Sequence, residues 1–261
     1  MDLQAVHDLA VSAAREAGAA IRGYYKDSYT VKMKSAENPL TDADLAADRI
    51  LEQRLKDAFL DTGWLSEETK ADPTRVDKPY AWIIDPLDGT REFTLGIPEF
   101  CVSVAFIRGE EAVVGVLYNP IEEQLFSGIV GVGAWLNGES CSTTDHGALD
   151  GARVVCSRSE EKKGWFDPWK AQLDLIPTGS VAYKFGLVAA GLAEATFTNK
   201  PRNEWDIAGG VAIVHAAGGR TSNRHGQPYR FNQPNPLKDG VCGTNGAIHD
   251  NILGVMKQQA G

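Results

Sequence analysis

Two aspartates that follow a short apolar run are the residues of this chain best suited to chemistry. Residues 82–90 read WIIDPLDGT, so a strand would deliver Asp85 and Asp88 to its carboxyl end, the edge where open α/β sheets bind ligands. Carboxylates three positions apart repel each other, and a turn that packs them together is stabilised by a bound cation. Oxygen ligands of this kind suit Mg²⁺ better than Zn²⁺ or Cu²⁺. Gly89 would let the chain approach a ligand closely, with successive N–H groups placed to cradle a phosphate oxygen.

Further carboxylates elsewhere in the sequence strengthen this interpretation. An isolated Asp-x-x-Asp pair is most often an acidic surface turn, in which the first aspartate caps the next segment. Here, however, Glu67 and Glu68 follow a predicted strand upstream, and Asp206 lies at the start of a predicted helix far downstream. A glutamate pair is usually solvated and an aspartate is a common helix N-cap, so neither feature alone indicates a metal site. Together they offer separate carboxylates for a site that holds several metal ions.

Two separated motifs, in this order, resemble the inositol monophosphatase superfamily. DPLDGT at residues 85–90 is followed by WDIAGG at residues 205–210, and the similarity extends from TDAD at residues 41–44 to AAGG at residues 216–219. That family comprises Mg²⁺-dependent, typically Li⁺-sensitive phosphomonoesterases. The resemblance implies an α/β fold built as a layered α-β-α-β-α sandwich, with two or three Mg²⁺ ions per site. The implied metal ligands are Glu67, Asp85, the Leu87 carbonyl, Asp88 and Asp206.

The same resemblance implies direct in-line attack of water on a phosphate monoester. The bound metals would clamp the attacking and leaving oxygens and lower the pKa of the attacking water. Thr90 and Asp44 match the family's Thr–Asp pair, which orients this water and helps to deprotonate it, although from the residues alone Asp44 is more simply a partner for a helix dipole. Backbone N–H groups of Gly89 and Thr90 would hold the scissile phosphate, and Glu68 would support the ligands from behind. The implied catalytic residues are Thr90, Asp44, Glu67 and Asp88.

The spacing of the aspartates disfavours a different class of phosphatase. Haloacid-dehalogenase-type enzymes use an Asp-x-Asp-Gly-Thr motif near the N-terminus, with the first aspartate as nucleophile. This chain has Asp-x-x-Asp instead, and the motif follows two predicted helices. The additional residue turns Asp85 away from the position of attack.

Several short motifs are similar to the bisphosphate nucleotidase branch of this family, the CysQ type, which converts adenosine 3′,5′-bisphosphate to AMP and phosphate. REF at residues 91–93 is similar to the branch's Lys-Glu-Phe, SRS at residues 157–159 is similar to its Ser-Arg-Ser-His, and GSVAYKF at residues 179–185 also resembles the branch. A hydroxyl–guanidinium–hydroxyl set would hold a second phosphate by charge-assisted hydrogen bonds. Arg202, shortly before the WD motif, is a further cation placed to contact an anionic substrate. The expected substrate-binding residues are Gly89, Thr90, Ser157, Arg158, Lys184 and Arg202.

Two positions depart from the family's patterns and leave the substrate open. Glu160 stands where the nucleotidase branch has a histidine, and Asn199, counted back from Asp206, stands where inositol monophosphatases carry an inositol-binding glutamate. An inositol-1-phosphate phosphatase of broad specificity is the alternative within this family. A non-catalytic sensor that binds metal and a phosphorylated metabolite is the alternative outside it. Thr90 argues against the sensor, because binding alone needs no residue that activates water.

Periodicity predicts the elements that must position these residues. Apolar residues at three- and four-residue steps predict a helix over residues 3–24 and a second one from an N-cap at Thr41, both covering one face of a sheet. Strands are predicted at residues 80–84, 101–107, 112–118, 124–127, 134–136, 153–156 and 195–198. Further helices are predicted at residues 181–190, 206–217 and 248–256. The chain is interpreted as a single phosphatase unit over residues 1–261, with a metal-binding half at residues 1–147 and a substrate-side half at residues 148–261.

Composition and charge exclude several other classes. A net charge of −9 at pH 7 is wrong for a protein that binds a nucleic-acid polymer, so we expect a small phosphorylated metabolite as partner. No apolar run approaches the roughly 20 residues that a membrane span needs, and the first residues lack the features of a secretory signal. The cysteines are scattered without a Cys-x-x-Cys pair, which predicts reduced thiols in a cytoplasmic protein and no zinc site. Members of the family are often homodimers, and the sequence leaves the oligomeric state open.

Overall fold

The computed structural model describes residues 1–35 and 38–259 of the chain. The predicted unit over residues 1–261 therefore includes residues 36–37 and 260–261, which lie outside the described part. The described α-helices are α1 (Leu3–Tyr24), α2 (Asp42–Leu55), α3 (Thr90–Thr94), α4 (Arg158–Lys162), α5 (Val181–Ala189), α6 (Glu204–Ala216) and α7 (His249–Gln259). Short 3₁₀ helices lie at Pro73–Asp77 and Asp167–Trp169. Within the described residues, none of the helices combines the length and the apolar character that crossing a membrane requires.

The strands of the described residues fall into two main sheets and two short ribbons. In chain order they are β1 (Val31–Ser35), β2 (Asn38–Thr41), β3 (Thr62–Ser66), β4 (Tyr80–Asp88), β5 (Cys101–Arg108), β6 (Glu111–Asn119), β7 (Gln124–Ile129), β8 (Gly133–Leu136), β9 (Glu139–Cys141), β10 (Ala152–Cys156), β11 (Leu173–Pro177), β12 (Ala195–Thr198), β13 (Arg202–Asn203), β14 (Arg220–Ser222), β15 (Leu237–Lys238) and β16 (Val241–Thr244). The larger sheet has the order β3-β4-β5-β6-β7-β8-β9 and the smaller one β11-β10-β12-β16-β14. The ribbons pair β1 with β2 and β13 with β15.

Helices and sheets alternate in layers. Helices α1 and α2 cover one face of the larger sheet, α5 and α6 lie between the two sheets, and α7 packs on the smaller sheet. Buried apolar side chains fill each interface. Examples are Leu51 of α2 against the larger sheet, Phe185 of α5 between the two sheets and Ile252 of α7 against the smaller sheet. This arrangement is the α-β-α-β-α sandwich expected from the sequence, with the first two helices on one face of a sheet as predicted.

The directions of β3 and β4 bring Glu67 and Asp85 to the same edge of the larger sheet. β3 and β4 are parallel, whereas β4 and β5 are antiparallel. Because parallel neighbours end at the same edge of a sheet, Glu67, which follows β3, reaches the same edge as Asp85 in β4. The predicted hairpin of β5 and β6 and the meander through β7 and β8 are also present, so this edge belongs to a rigid sheet.

The start of α2 is organised by a capping box, as predicted. Thr41 is the N-cap, and its hydroxyl accepts a hydrogen bond from the Ala43 amide at 3.2 Å. The Asp44 carboxylate reaches back to the Thr41 amide at 2.8 Å. Both interactions satisfy N–H groups that a helix terminus otherwise leaves unpaired. They also fix the direction of the Asp44 side chain.

Two predicted boundaries beside the candidate metal ligands are wrong. β4 does not stop at residue 84 but continues to Asp88, because a register shift against β5 between Asp85 and Asp88 accommodates the proline in a bulge. Helix α6 begins at Glu204 with Asn203 as its N-cap, so Asp206 is not the cap. Asp206 instead accepts a hydrogen bond from the Asn203 amide at 2.9 Å, which leaves it within the first turn and directed to the edge of the sheet.

The short elements were missed by the sequence reading. These are α3, α4, β2, β9, β11, β14, β16, the strands of the ribbon β13–β15 and the two 3₁₀ helices. Each is too brief to show a hydrophobic period, and its conformation depends on partners that are distant in the chain. Two of them, α3 and α4, border the cavities described below.

Candidate active site

An acidic cluster lies where β3, β4 and α6 meet. Glu67, Asp85 and Asp206 each place one carboxylate oxygen within 4.8 Å of the others. Burial, together with the charges of Glu67, Asp88 and Asp206, raises the pKa of Asp85 well above its ordinary value. Burial and the charges of Asp88 and Glu67 raise the pKa of Asp206 to about 8. These carboxylates can all be ionised together only around a cation, and an all-oxygen donor set fits a hard divalent metal ion.

The bulge in β4 shapes the edge of this cluster. The Leu87 amide donates a hydrogen bond to Asp85 Oδ1 at 3.0 Å, which closes the turn around the proline. Gly89 follows with φ +101, and a Cβ there would lie 3.0 Å from the Glu99 carbonyl oxygen. Only glycine fits this left-handed corner without strain. The corner turns the chain into α3, so Thr90 comes to line the same cavity as the acidic cluster.

Asp88 is held from the second half of the chain. Its Oδ2 accepts hydrogen bonds from the Ser180 hydroxyl and, at 2.6 Å, from the Ala182 amide at the start of α5. Burial raises the pKa of Asp88, and these two donors together with Lys184 oppose that rise. Both hydrogen bonds fall on Oδ2, so Oδ1 remains for the cavity that the acidic cluster lines.

Thr90 and Asp44 meet as the family pattern implied. The Thr90 hydroxyl lies 2.9 Å from Asp44 Oδ1 and 3.0 Å from the Leu87 carbonyl oxygen. Asp44 Oδ2 is occupied by the amide and hydroxyl of Thr41, at 2.8 and 2.5 Å. The capping box of α2 therefore presents the remaining oxygen of Asp44 to Thr90.

A second carboxylate of α2, Asp48, supports the segment that carries Glu67. The Ser66 hydroxyl donates to Asp48 Oδ1 at 2.6 Å, and the Glu68 amide donates to the Ser66 hydroxyl at 3.3 Å. Glu68 does not line either main cavity, consistent with a supporting place behind the cluster. Sequence reasoning missed Asp48, although its position one helical turn after Asp44 was a usable signal.

Two adjoining cavities open at this edge. An acidic cavity of about 350 Å³ is lined by Glu67, Asp85, Leu87, Asp88 and Asp206. A cationic cleft of about 480 Å³ lies beside it. Its basic lining residues are Arg91, Arg158, Lys162, Lys163, Lys184, Lys200 and Arg202. Asp88, Gly89, Arg91, Glu92 and Arg202 line both cavities, so the two are continuous.

Apart from Thr90, which lines the acidic cavity, the predicted substrate contacts line the cationic cleft. Ser157 and Arg158 line it, and the Ser157 hydroxyl is 3.0 Å from that of Ser159. Arg158 forms an ion pair with Glu99 Oε1. The other carboxylate oxygen of Glu99 accepts a hydrogen bond from the Gly179 amide at 2.7 Å. Sequence reasoning gave Glu99 no role, because no local pattern marks a contact across this distance in the chain. Arg158 is thereby oriented by the segment that also positions Ser180.

Lys184 and Arg202 also reach the cleft. Lys184 is 7% exposed, and its Nζ donates to the carbonyl oxygens of Ser180 and Thr178. Burial lowers the pKa of Lys184, and the charge of Asp88 opposes that change. Arg202 lines both cavities and stands between the acidic cluster and the cleft.

The two departures from the family patterns point away from the cavities. Glu160 is 1% exposed and accepts a hydrogen bond from the Thr198 hydroxyl at 2.6 Å. The Asn199 side-chain amide donates to the Met256 carbonyl oxygen in α7 at 2.9 Å. Neither residue lines the acidic cavity or the cationic cleft. Neither therefore takes the place of a substrate ligand.

Known proteins share both the sequence pattern and this fold. The model of the inositol monophosphatase family matches residues 2–260. Inositol monophosphatase 2 of Solanum lycopersicum is 31% identical over 265 residues, which cover 96% of this chain and 97% of that protein. The solved structure of the extragenic suppressor protein SuhB from Bartonella henselae has a TM-score of 0.87 at 27% identity, covering 97% of this chain and 99% of its own. CysQ from Bacteroides thetaiotaomicron, a bacterial member of the inositol monophosphatase family, has a TM-score of 0.79 at 30% identity, covering 93% and 98%.

Proposed function

This chain belongs to the inositol monophosphatase family, and we propose that it is a Mg²⁺-dependent phosphomonoesterase whose preferred substrate is adenosine 3′,5′-bisphosphate. The family and the fold class expected from the sequence are confirmed. The family comprises phosphatases that act on small phosphorylated substrates. We propose the identity of the metal, of the catalytic residues and of the substrate.

We assign the metal site to the acidic cavity. Glu67, Asp85, Asp88, Asp206 and the Leu87 carbonyl would hold two or three Mg²⁺ ions. When bound, Mg²⁺ neutralises the carboxylates, binds phosphate oxygens and lowers the pKa of a coordinated water. The raised pKa values of Asp85 and Asp206 support this assignment, because buried carboxylates without a cation resist ionisation together.

Residues of the chain would orient the attacking water and bind the scissile phosphate. The Thr90 hydroxyl donates a hydrogen bond to Asp44, which leaves a lone pair on its oxygen to accept a hydrogen bond from the attacking water. Asp44 holds this orientation through the α2 cap. The Gly89 and Thr90 amides would donate to oxygens of the scissile phosphate, where charge increases as the bond to water forms.

The substrate assignment is carried by one observation, the continuity of the acidic cavity with a cleft lined by cations. A bisphosphate that places one phosphate at Gly89 and Thr90 would extend its other phosphate toward Ser157 and Arg158. Arginine held in a fixed orientation is well suited to bind phosphate through two N–H groups. The proposal thus accounts for a strongly basic cleft in a chain whose net charge is −9.

Two alternatives remain open to experiment. The names of the relatives favour an inositol-1-phosphate phosphatase of broad specificity, since the tomato protein is named an inositol monophosphatase. A non-catalytic sensor is disfavoured by the Thr90–Asp44 pair, which binding alone does not need.

We also propose that the halves at residues 1–147 and 148–261 act as one unit. Asp88 in the first half is held by Ser180 and Ala182 in the second, and Glu99 joins Arg158 to Gly179 in the same way. The proposed site would thus take residues from both halves. Either half alone would lack part of it.

Phosphate release from adenosine 3′,5′-bisphosphate and from inositol 1-phosphate tests the proposal, each with Mg²⁺ and each repeated with EDTA. We expect turnover that depends on Mg²⁺ and strongly favours the nucleotide. A preference for inositol 1-phosphate would retain the site and replace the substrate. No turnover of either compound would favour the sensor.

A further inference from the structure

Glu92 is a carboxylate at the junction of the two cavities with no role in the mechanism above. It lies in α3, two residues after Thr90, and lines both the acidic cavity and the cationic cleft. Among the described residues, Asp88 is the other acidic side chain that lines both. Asp88 is already engaged by Ser180 and Ala182.

Packing fixes the position of Glu92. A Cβ added to Gly179 would lie 2.4 Å from Glu92 Cγ and 2.8 Å from Cδ, so the carboxylate arm rests directly on the Gly179 backbone. The Gly179 amide is in turn held by Glu99 at 2.7 Å. Glu92 is therefore a half-buried group with a defined place, unlike a solvated glutamate at the surface.

The Glu92 carboxylate accepts a hydrogen bond from its own backbone amide. In the described part of the chain, no other residue donates a hydrogen bond to its carboxylate. Burial raises the pKa of Glu92, while the charges of Lys184 and Arg91 lower it and that of Asp88 raises it. A partly desolvated carboxylate that meets a single backbone amide keeps further acceptor sites open, and a ligand in the cavity can supply a donor to them.

We propose that Glu92 is a specificity-determining residue that accepts a hydrogen bond from a hydroxyl group of the substrate's alcohol portion, adjacent to the scissile ester. This inference rests on the proposed function, because it places the scissile phosphate at Gly89 and Thr90. It adds a requirement on the substrate class, which becomes a phosphorylated sugar or polyol with a free neighbouring hydroxyl.

The chemistry at this position favours a hydroxyl over other groups. A phosphate would be repelled by Glu92, and the cations of the cleft already offer better partners for it. An ammonium group would be repelled by Arg91 and Lys184, which lie close enough to affect the pKa of Glu92. A hydroxyl group on the carbon next to the ester is uncharged, so neither Glu92 nor the two cations repel it.

The test compares substrates that differ by the hydroxyl alone, in wild-type protein and in the variants Glu92→Gln and Glu92→Ala. The nucleotide pair is adenosine 3′,5′-bisphosphate and its 2′-deoxy analogue, and the polyol comparison is inositol 1-phosphate with its 2-deoxy and 6-deoxy analogues, each of which lacks one hydroxyl next to the ester. The pair that wild-type protein hydrolyses is used. The matched control is Glu139→Gln, an exposed glutamate in β9. Thermal unfolding checks that each variant is folded.

We expect Glu92→Ala to lower kcat/KM for the hydroxylated substrate by about 10- to 100-fold, the size of one hydrogen bond to a charged group. For the substrate that lacks the hydroxyl, the loss should be less than about threefold. Glu92→Gln should fall between, and Glu139→Gln should match wild type. Equal losses on both substrates, or no loss on either, would overturn the inference. If wild-type protein hydrolyses neither pair, the proposed function itself fails and this inference falls with it.

Discussion

The Thr90 hydroxyl lies 2.9 Å from the Asp44 carboxylate, although 46 residues separate them in the chain. The contact connects the first turn of α2 with the first turn of α3. The Thr41 cap occupies one oxygen of Asp44, and the Thr90 hydroxyl donates to the other. A local capping motif thereby sets the direction in which a distant hydroxyl donates its proton.

Thr90→Val should lower kcat by about a hundredfold or more, because the attacking water loses the acceptor that orients it. The KM should change less than about threefold, since valine keeps the shape of threonine and the backbone amides remain. Steady-state kinetics with the preferred substrate measures both values. Thr94→Val, in the same helix, is the control and should behave as wild type, because its hydroxyl donates to the Arg91 carbonyl and Thr94 lines neither the acidic cavity nor the cationic cleft. A loss confined to KM would remove Thr90 from water activation.

The α2 cap and the carboxylate motifs were readable from the sequence because each depends on neighbours in the chain. Thr41 and Asp44 form a capping box at a fixed spacing, and Asp85 follows an apolar run that is long enough to identify a strand. The layered fold and the Thr90–Asp44 contact came from the family resemblance rather than from periodicity. Both are present in the structure.

The groups that hold the site together were not readable in the same way. Ser180 bonds Asp88 across 92 residues, and Glu99 bonds Arg158 across 59. Such contacts depend on how the two halves pack, and no local spacing encodes them. The bulge that carries β4 through Pro86 was missed for the same reason, since pairing with β5 overrides the local signal of proline to end a strand.

Asp88→Asn should lower turnover by more than about a hundredfold, as expected for the loss of an electrostatic catalytic group. Asparagine removes a negative charge from the proposed metal site. Its carbonyl oxygen can still accept from the Ser180 hydroxyl and the Ala182 amide, which both donate to Oδ2, and its NH2 group then faces the cavity in place of Oδ1. The measurement is kcat at saturating Mg²⁺. Asp174→Asn, an exposed aspartate in β11, is the control. A loss of tenfold or less would show that Asp88 does not contact the metal.

Arg158→Gln should raise the KM for adenosine 3′,5′-bisphosphate by about tenfold or more, because the second phosphate loses a charge-assisted donor. The KM for 3′-AMP, which lacks the 5′-phosphate, should change much less. Comparing the two substrates separates a direct contact from a general disturbance of the cleft. Arg108→Gln, an exposed arginine at the end of β5, is the matched control. A parallel rise for both substrates would place the second phosphate elsewhere.

Lithium at millimolar concentration should inhibit turnover, as the family resemblance implies. Li⁺ is a small, hard cation, and the acidic cavity offers the oxygen ligands that such an ion binds. Initial rates at fixed Mg²⁺ with increasing LiCl measure the effect, and NaCl at the same ionic strength is the control. Full activity in excess Li⁺ would contradict the proposed mechanism.

Metal-free protein should lose stability as the pH rises from 6.5 to 8.5. The pKa of Asp206 is raised to about 8 in the folded chain from an ordinary value of 3.8. Between these values the folded state therefore binds protons that the unfolded state has released, so the free energy of unfolding falls with increasing pH. His249, whose pKa is lowered from 6.5 to about 4, has the opposite effect, but mainly below pH 6.5.

The predicted loss of stability between pH 6.5 and pH 8.5 is measured by thermal unfolding in EDTA at both pH values, repeated with saturating Mg²⁺. Mg²⁺ binds the ionised carboxylates of the folded state, so the increase in Tm that it causes should be larger at pH 8.5 than at pH 6.5. Asp206→Asn removes one of the responsible groups and should reduce the pH dependence in EDTA. An unchanged Tm between the two pH values in metal-free wild-type protein would mean that the carboxylates of the acidic cavity are ionised without a cation, and the physical argument for a metal centre there would fail.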